Sequence, residues 1–201
     1  MCGMTRTKAV LCLLVFLSVP IVALAQERAR GIYIDVGLGF GGIRYFDSDT
    51  KTIAKDFNRS ADTHITVDLN MLTIGGALRD NVYLVGTIAG VGDGYFDSAN
   101  NQSQITVAMY GLGVRYYPLA SKKNLQLGLD LGTGAMHVMY GQSNTSDDMS
   151  DVGFSARVSV GWDFDSTMTG LTAMAGGDVM FNIIEGDKSL SYALFLKLLF
   201  K

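Results

Sequence analysis

The chain has 201 residues, 48% of them hydrophobic and only 17% charged, with 24 glycines, 2 prolines and a net charge of −3. Length allows one or two domains, charge falls below the roughly 25% usual for globular chains, and glycine exceeds its usual ~7%. An acidic balance with a pI near 5.2 gives no reason to expect a nucleic-acid partner, which would usually show as a basic patch or stripe.

The first 25 residues form a unit of their own. Arg6 and Lys8 precede the apolar run AVLCLLVFLSVPIVALA, which closes on Ala23-Leu24-Ala25. That order is a charged n-region, an h-region and an A-x-A site, the pattern of a secretory signal peptide. The polar stretch Gln26-Glu27-Arg28-Ala29-Arg30 that follows favours cleavage after Ala25 over an uncleaved anchor. The expected division is a signal at 1–25 and a single domain at 26–201. Cys2 and Cys12 both lie in the signal, so the exported domain is expected to rely on no disulfide. No cysteine stands at the cleavage point, and a lipoprotein anchor is not expected.

GIYIDVGLGFGGI (31–43) contains GLGFGG, which matches the dinucleotide fingerprint G-x-G-x-x-G. That fingerprint must leave a strand, turn and open a helix. Here the alternation runs straight through the glycines. Ile32, Ile34, Val36, Leu38 and Phe40 share one face, and Tyr33, Asp35, Gly37, Gly39 and Gly41 the other. The glycines therefore belong to one face of a strand. The next stretch, 44–63, shows no sustained helical period and predicts a polar loop with at most one short turn near 53–57.

Seven further strands follow. HITVDLNM (64–71) alternates and then slips phase near Leu72, which predicts a bulge. VYLVGTIAGVG (82–92) and LTAMAGGDVMFN (171–182) are apolar with small residues on both faces. ITVAMYGLGVRYY (105–117) starts mixed and ends with Leu112, Val114 and Tyr116 opposite Gly111, Gly113 and Arg115, while LQLGLDLGTGA (125–135), VGFSARVSVGWD (152–163) and SLSYALFLKLLFK (189–201) set large apolar residues against glycine, serine and isolated charges. The connections alternate between long polar loops and short turns. Such alternation fits a transmembrane β-barrel, with 44–63, 93–103, 139–151 and 184–188 outside.

A soluble eight-stranded barrel would turn a Lys-, Glu- and Thr-rich face to water. These polar faces carry mostly Gly, Ser and Ala, which suit the narrow interior of eight strands. Leu, Val, Ile, Phe and Trp then point outward, toward lipid. Strands of about ten residues are long enough to span. The expected fold is all-β: one antiparallel, up-and-down, eight-stranded transmembrane barrel. Tyr83, Tyr116, Trp162 and Phe200 fall at strand ends beside short turns or the C-terminus and predict one interfacial girdle. Phe40, Tyr45, Phe46, Tyr95, Phe96, Tyr140 and Phe181 fall near the long loops and predict the other.

The signal, the eight alternating strands, the glycine-rich inner faces and GLGVRYYP at a strand end resemble the small outer-membrane β-barrel proteins of the OmpA/OmpX/OmpW and opacity type. The resemblance covers about 26 to 201. It implies the bacterial outer membrane as the location, and outer-membrane lipids and the barrel-assembly machinery as partners. Small molecules or host surface ligands would be further partners. The family usually ends on Phe, whereas here Phe200 is followed by Lys201.

Inward phase collects Asp35, Asp68, Arg115, Asp130, Arg157, Asp163, Asp178 and Lys197, which predicts an internal polar network. If strands four and six flank strand five, Arg115 and Arg157 are expected to share Asp130 between them. His64 is placed inward and His137 outward. No G-x-S-x-G, P-loop, H-E-x-x-H or C-x-x-C motif is present, so no catalytic residue, cofactor or metal site is expected. The leading expectation is a non-enzymatic structural or surface-interaction protein with a filled lumen. The alternatives are a narrow channel for small, partly apolar molecules, as the OmpW-like resemblance implies, and a lipid-acting enzyme.

Overall fold

The computed structural model describes residues 31–98, 102–119, 124–140, 148–150, 152–164 and 170–200. Residues 1–30, which include the expected signal peptide, lie outside these residues, as do Lys201 and parts of four connections. Among those described, eight long strands run in sequence: β1 (Ile32–Tyr45), β2 (Thr63–Arg79), β3 (Val82–Phe96), β4 (Gln102–Tyr116), β5 (Leu125–Met139), β6 (Gly153–Asp163), β7 (Leu171–Ile184) and β8 (Asp187–Phe200). Each pairs antiparallel with the next. β1 then pairs with β8, from Ile34↔Phe200 to Tyr45↔Ser189. That last ladder closes the sheet and removes its free edges. A two-residue ladder, Asp148–Met149, extends β5 beyond the barrel.

The expected bulge is present. β2 pairs Asn70 with Ala89 and then Leu72 with Ile88, leaving Met71 as the extra residue. The alternation also holds. On β8, Tyr192, Leu194, Leu196, Leu198 and Phe200 are exposed, while Ser191, Ala193, Phe195, Lys197 and Leu199 are buried. Leu194, the most exposed of them at 77%, belongs to a contiguous outward apolar face larger than soluble monomers usually show.

Two expectations need correction. The stretch 44–63 is not only loop, because Ser48–Ser60 forms a 13-residue helix, α1. Its inner face is Thr50, Ile53, Ala54 and Phe57, spaced 3, 1 and 3, which is a helical period confined to two turns. Asp47, at the N-cap position, makes no capping bond to the helix. Its carboxylate accepts the Lys188 N–H instead. A helix tied to another hairpin through Asp47 and Thr50 and held by three half-buried side chains leaves little signal in its own sequence.

The second correction concerns 184–188, read as a modest loop. Ile184 pairs with Asp187, so only Glu185 and Gly186 form the turn. Both have positive φ, 53° and 95°, the conformation that a two-residue type I′ hairpin needs. The long connections α1, 97–101 and 140–152 nevertheless gather at one end, called here the cap end. The chain's first strand begins, and its last strand finishes, at the opposite turn end.

Candidate functional site

The lumen is the site that the sequence pointed to, and side chains fill it in three layers. At the turn end lie Tyr33, Ala77, Tyr83, Val85, Tyr117 and Leu199. The Tyr33 and Tyr83 rings are 5.3 Å apart, and those of Tyr83 and Tyr117 are 5.9 Å apart. Gln126 Nε2 donates to both Tyr33 OH and Tyr117 OH at 2.8 Å. One amide thus joins β1, β5 and the end of β4 across the lumen.

The middle layer is charged. Arg115 grips Asp130 with two parallel bonds, Nη1 to Oδ1 at 2.7 Å and Nη2 to Oδ2 at 3.0 Å. This fork is the strong, orientation-fixing form of the pair. Thr87 Oγ1 donates to the same carboxylate at 3.0 Å. Arg157 bonds Asp178 through Nε and Nη2, donates to Asn70 Oδ1 at 3.0 Å, and lies 3.6 Å from Asp68. Asn70 Nδ2 in turn donates to Asp35. Lys197 Nζ stands 3.8 Å from Asp35 Oδ1 and 4.3 Å from the centre of the Phe195 ring. Both arginines and all of these carboxylates are buried. Charges so placed persist only when paired.

Glycines make the room. A Cβ at Gly113 would stand 1.9 Å from Asp130 Oδ1, and one at Gly37 would stand 2.4 Å from Lys197 Cγ. The first glycine of GLGFGG therefore accommodates a lysine stem, not a pyrophosphate.

The cap-end layer is apolar: Tyr45, Val91, Ile105, Val107, Met109, Met136, Val138, Met180 and Ile184, with Ile53, Ala54 and Phe57 of α1 packed over them. Beside it lies one buried carboxylate, Asp93. It accepts from Thr66 Oγ1 at 2.7 Å, Tyr95 OH at 2.6 Å and Tyr45 OH at 3.2 Å, and it bonds His64 Nε2 at 2.7 Å. His64 stacks flat on Tyr95, with centroids 4.5 Å apart. Asp93 thus ties β1, β2 and β3 together at the mouth.

The structure brings together seven of the eight expected network residues. The exception is Asp163, which sits at the turn end. It accepts from Thr172 Oγ1 at 2.8 Å, and its carbonyl accepts from Asn124 Nδ2. Arg157 does not share Asp130. The two are cross-strand partners, but the guanidinium turns the other way, to Asp178 on the neighbouring strand β7. Nor is the filling polar throughout, since both ends are apolar or aromatic.

Tyr116, Trp162 and Phe200 point outward and are 40 to 49% exposed. Tyr83 is buried in the turn-end layer and is no girdle residue. Tyr45 and Tyr95 likewise turn inward, onto Asp93. The sequence reading missed Asp93, Thr66 and Asn70 as network members and Gln126 as a strut. The signal for Asp93 was available, because Tyr83, Val85, Thr87, Ala89, Val91, Asp93 and Tyr95 keep one phase along β3. Ending the strand at 92 hid it.

The architecture defines a class: a closed eight-stranded meander, apolar outside, filled inside and capped at one end. No protein-family model matches the chain, and no curated protein matches it. Solved structures do. Ail, the attachment invasion locus protein of Yersinia pestis, aligns over 85% of this chain and 99% of its own at 12% identity and a TM-score of 0.52. Neisserial surface protein A aligns over 83% of this chain and 95% of its own at 13% identity and a TM-score of 0.54. At these identities the likeness is one of fold, and it agrees with the resemblance to small outer-membrane barrels.

Proposed function

We propose that this chain is a bacterial outer-membrane barrel with a closed lumen. Its role is structural and surface-interacting, not catalytic, and it is carried by α1 and the connections at the cap end. The supporting observation is the three-layer filling: an arginine–carboxylate layer lies between an aromatic layer and an apolar one. Eight strands enclose a space that side chains can fill. Here the two largest fully buried side chains are Arg115 and Arg157. The membrane placement is supported by the outward belt of Leu, Ile, Val, Phe and Trp, which in water would be an aggregation surface. Outer-membrane lipids and the assembly machinery would then be its obligatory partners, and ligands outside the cell would meet α1 first.

Conductance in planar bilayers tests the reading. The wild-type protein is expected to pass no ions or only a weak current. Large, steady conductance would overturn the closed lumen and favour a narrow conduit.

A further inference from the structure

The outward face of β7 carries Ala173, Ala175 and Gly177 in succession. Gly177 pairs with Val160 on β6 and Leu194 on β8. With no side chain between these two, the outer wall sinks into a groove of about 460 Å³. Phe40, Val158, Val160, Val179, Tyr192 and Leu194 line it. A Cβ at Gly177 would stand 3.2 Å from the Ala193 carbonyl oxygen, a contact that a few tenths of an ångström of movement relieves, and 3.6 Å from Leu194 Cδ2.

A second feature stands over this groove. Arg44 lies four residues beyond Phe40 on the same face of β1, and Lys188 lies four residues before Tyr192 on the same face of β8. At about 3.3 Å per residue, each cation is roughly 13 Å further toward the cap end. The two are neighbours: Arg44 pairs with Leu190, and the Phe46 N–H donates to the Lys188 carbonyl at 2.9 Å. Both side chains are exposed, and Arg44 lies over the Phe46 ring at 5.5 Å. Of the carboxylates in this corner, Asp47 accepts the Lys188 N–H and Asp187 accepts from Thr50 Oγ1, while Glu185 is exposed at the hairpin tip.

We infer that this corner is a binding site for one anionic, phosphate-bearing lipid. An acyl chain lies in the groove over Gly177, and the phosphate sits between Arg44 and Lys188. The inference rests on the membrane placement proposed above. An apolar trench running toward two cations at the rim of an apolar belt matches both parts of such a molecule. A chain-only contact would not select the cations, and an anion-only contact would not select the trench.

Native mass spectrometry of the detergent-solubilised protein tests this, with phosphatidylglycerol and phosphatidylcholine of identical chains as probes. Wild type is expected to retain one phosphatidylglycerol in preference to phosphatidylcholine. Each cation near an anionic headgroup is worth about fivefold, so Arg44→Gln with Lys188→Gln should weaken retention about twenty-five-fold. Gly177→Leu should weaken both lipids. Unchanged phosphatidylglycerol retention by the Arg44→Gln/Lys188→Gln variant, or equal retention of the two lipids by wild type, overturns the site. So does a lipid-free dimer that Gly177→Leu dissociates, because a second copy would then fill the groove. A bisphosphorylated glucosamine lipid run beside phosphatidylglycerol distinguishes glycolipid from phospholipid as the source. Failure of the membrane placement has a separate readout: wild type would partition into the aqueous phase without detergent.

Discussion

Arg115 and Asp130 show how one pair shapes its surroundings. Their fork leaves no space for a side chain at Gly113, so an inner-face glycine on β4 is a packing requirement. Removing one partner of a buried pair leaves the other uncompensated, which costs about 3–5 kcal/mol. Arg115→Ala should therefore lower the unfolding free energy measured in lipid vesicles by that amount. Arg115→Ala with Asp130→Ala should recover part of the loss, and the double-mutant cycle reads the coupling directly. If the double variant were no more stable than Arg115→Ala alone, the pair would not be a unit. Gly37→Val makes the complementary test. Its side chain would collide with the Lys197 stem, so reduced stability is expected, with partial rescue by Lys197→Ala. The alternation showed which residues face inward, but not which partner each would choose. Arg157 illustrates the limit: its backbone is opposite Asp130, and its long side chain settles on Asp178.

At the scale of elements, the strands were legible because each exposes one face to one environment over ten or more residues. Their ends were less so. β3 runs on to Phe96 through GDGYF, a stretch whose glycines and aspartate read as a loop. Those glycines face outward, while Asp93 and Tyr95 continue the inner row. α1 was missed for a different reason, since its stability comes from tertiary contacts. Phe57 packs against Tyr95 at 5.6 Å and Tyr140 at 5.4 Å, and the N-terminal end is tied to the β7–β8 hairpin by Asp47 and Thr50. Isolated helices of this length are marginal in water. Phe57→Ala should therefore loosen the cap without opening the ladders below it. Limited trypsin digestion should then cut faster at Lys51, Lys55 and Arg59, while the unboiled protein keeps its folded mobility on gels. Loss of folded mobility together with faster cutting would mean that α1 is integral to the barrel, not a lid on it.

For the whole molecule, closure by β1 on β8 and the gathering of the long connections at one end decide how it can sit in a membrane. Every backbone group in the apolar belt must be paired, and a closed barrel achieves this without an edge. The turn end holds Asp80-Asn81 and the connections 117–124 and 164–170, together with both ends of the described chain. The cap end holds α1, the 97–101 and 140–152 connections and the tight Glu185–Gly186 turn. Short turns face the periplasm in barrels of this kind, and the longer loops face outward. An epitope tag at Gly141, in the connection that follows Tyr140, should therefore be reached by antibody on intact cells. A tag at Lys122, in the β4–β5 connection, should be reached only after the outer membrane is permeabilised. The opposite labelling would invert the barrel. It would put α1 and the Asp93 cluster in the periplasm and place Arg44 and Lys188 against the inner leaflet. Labelling at both positions on intact cells would instead show that the barrel is not seated in a sealed membrane, and the outward belt would then need another partner to cover it.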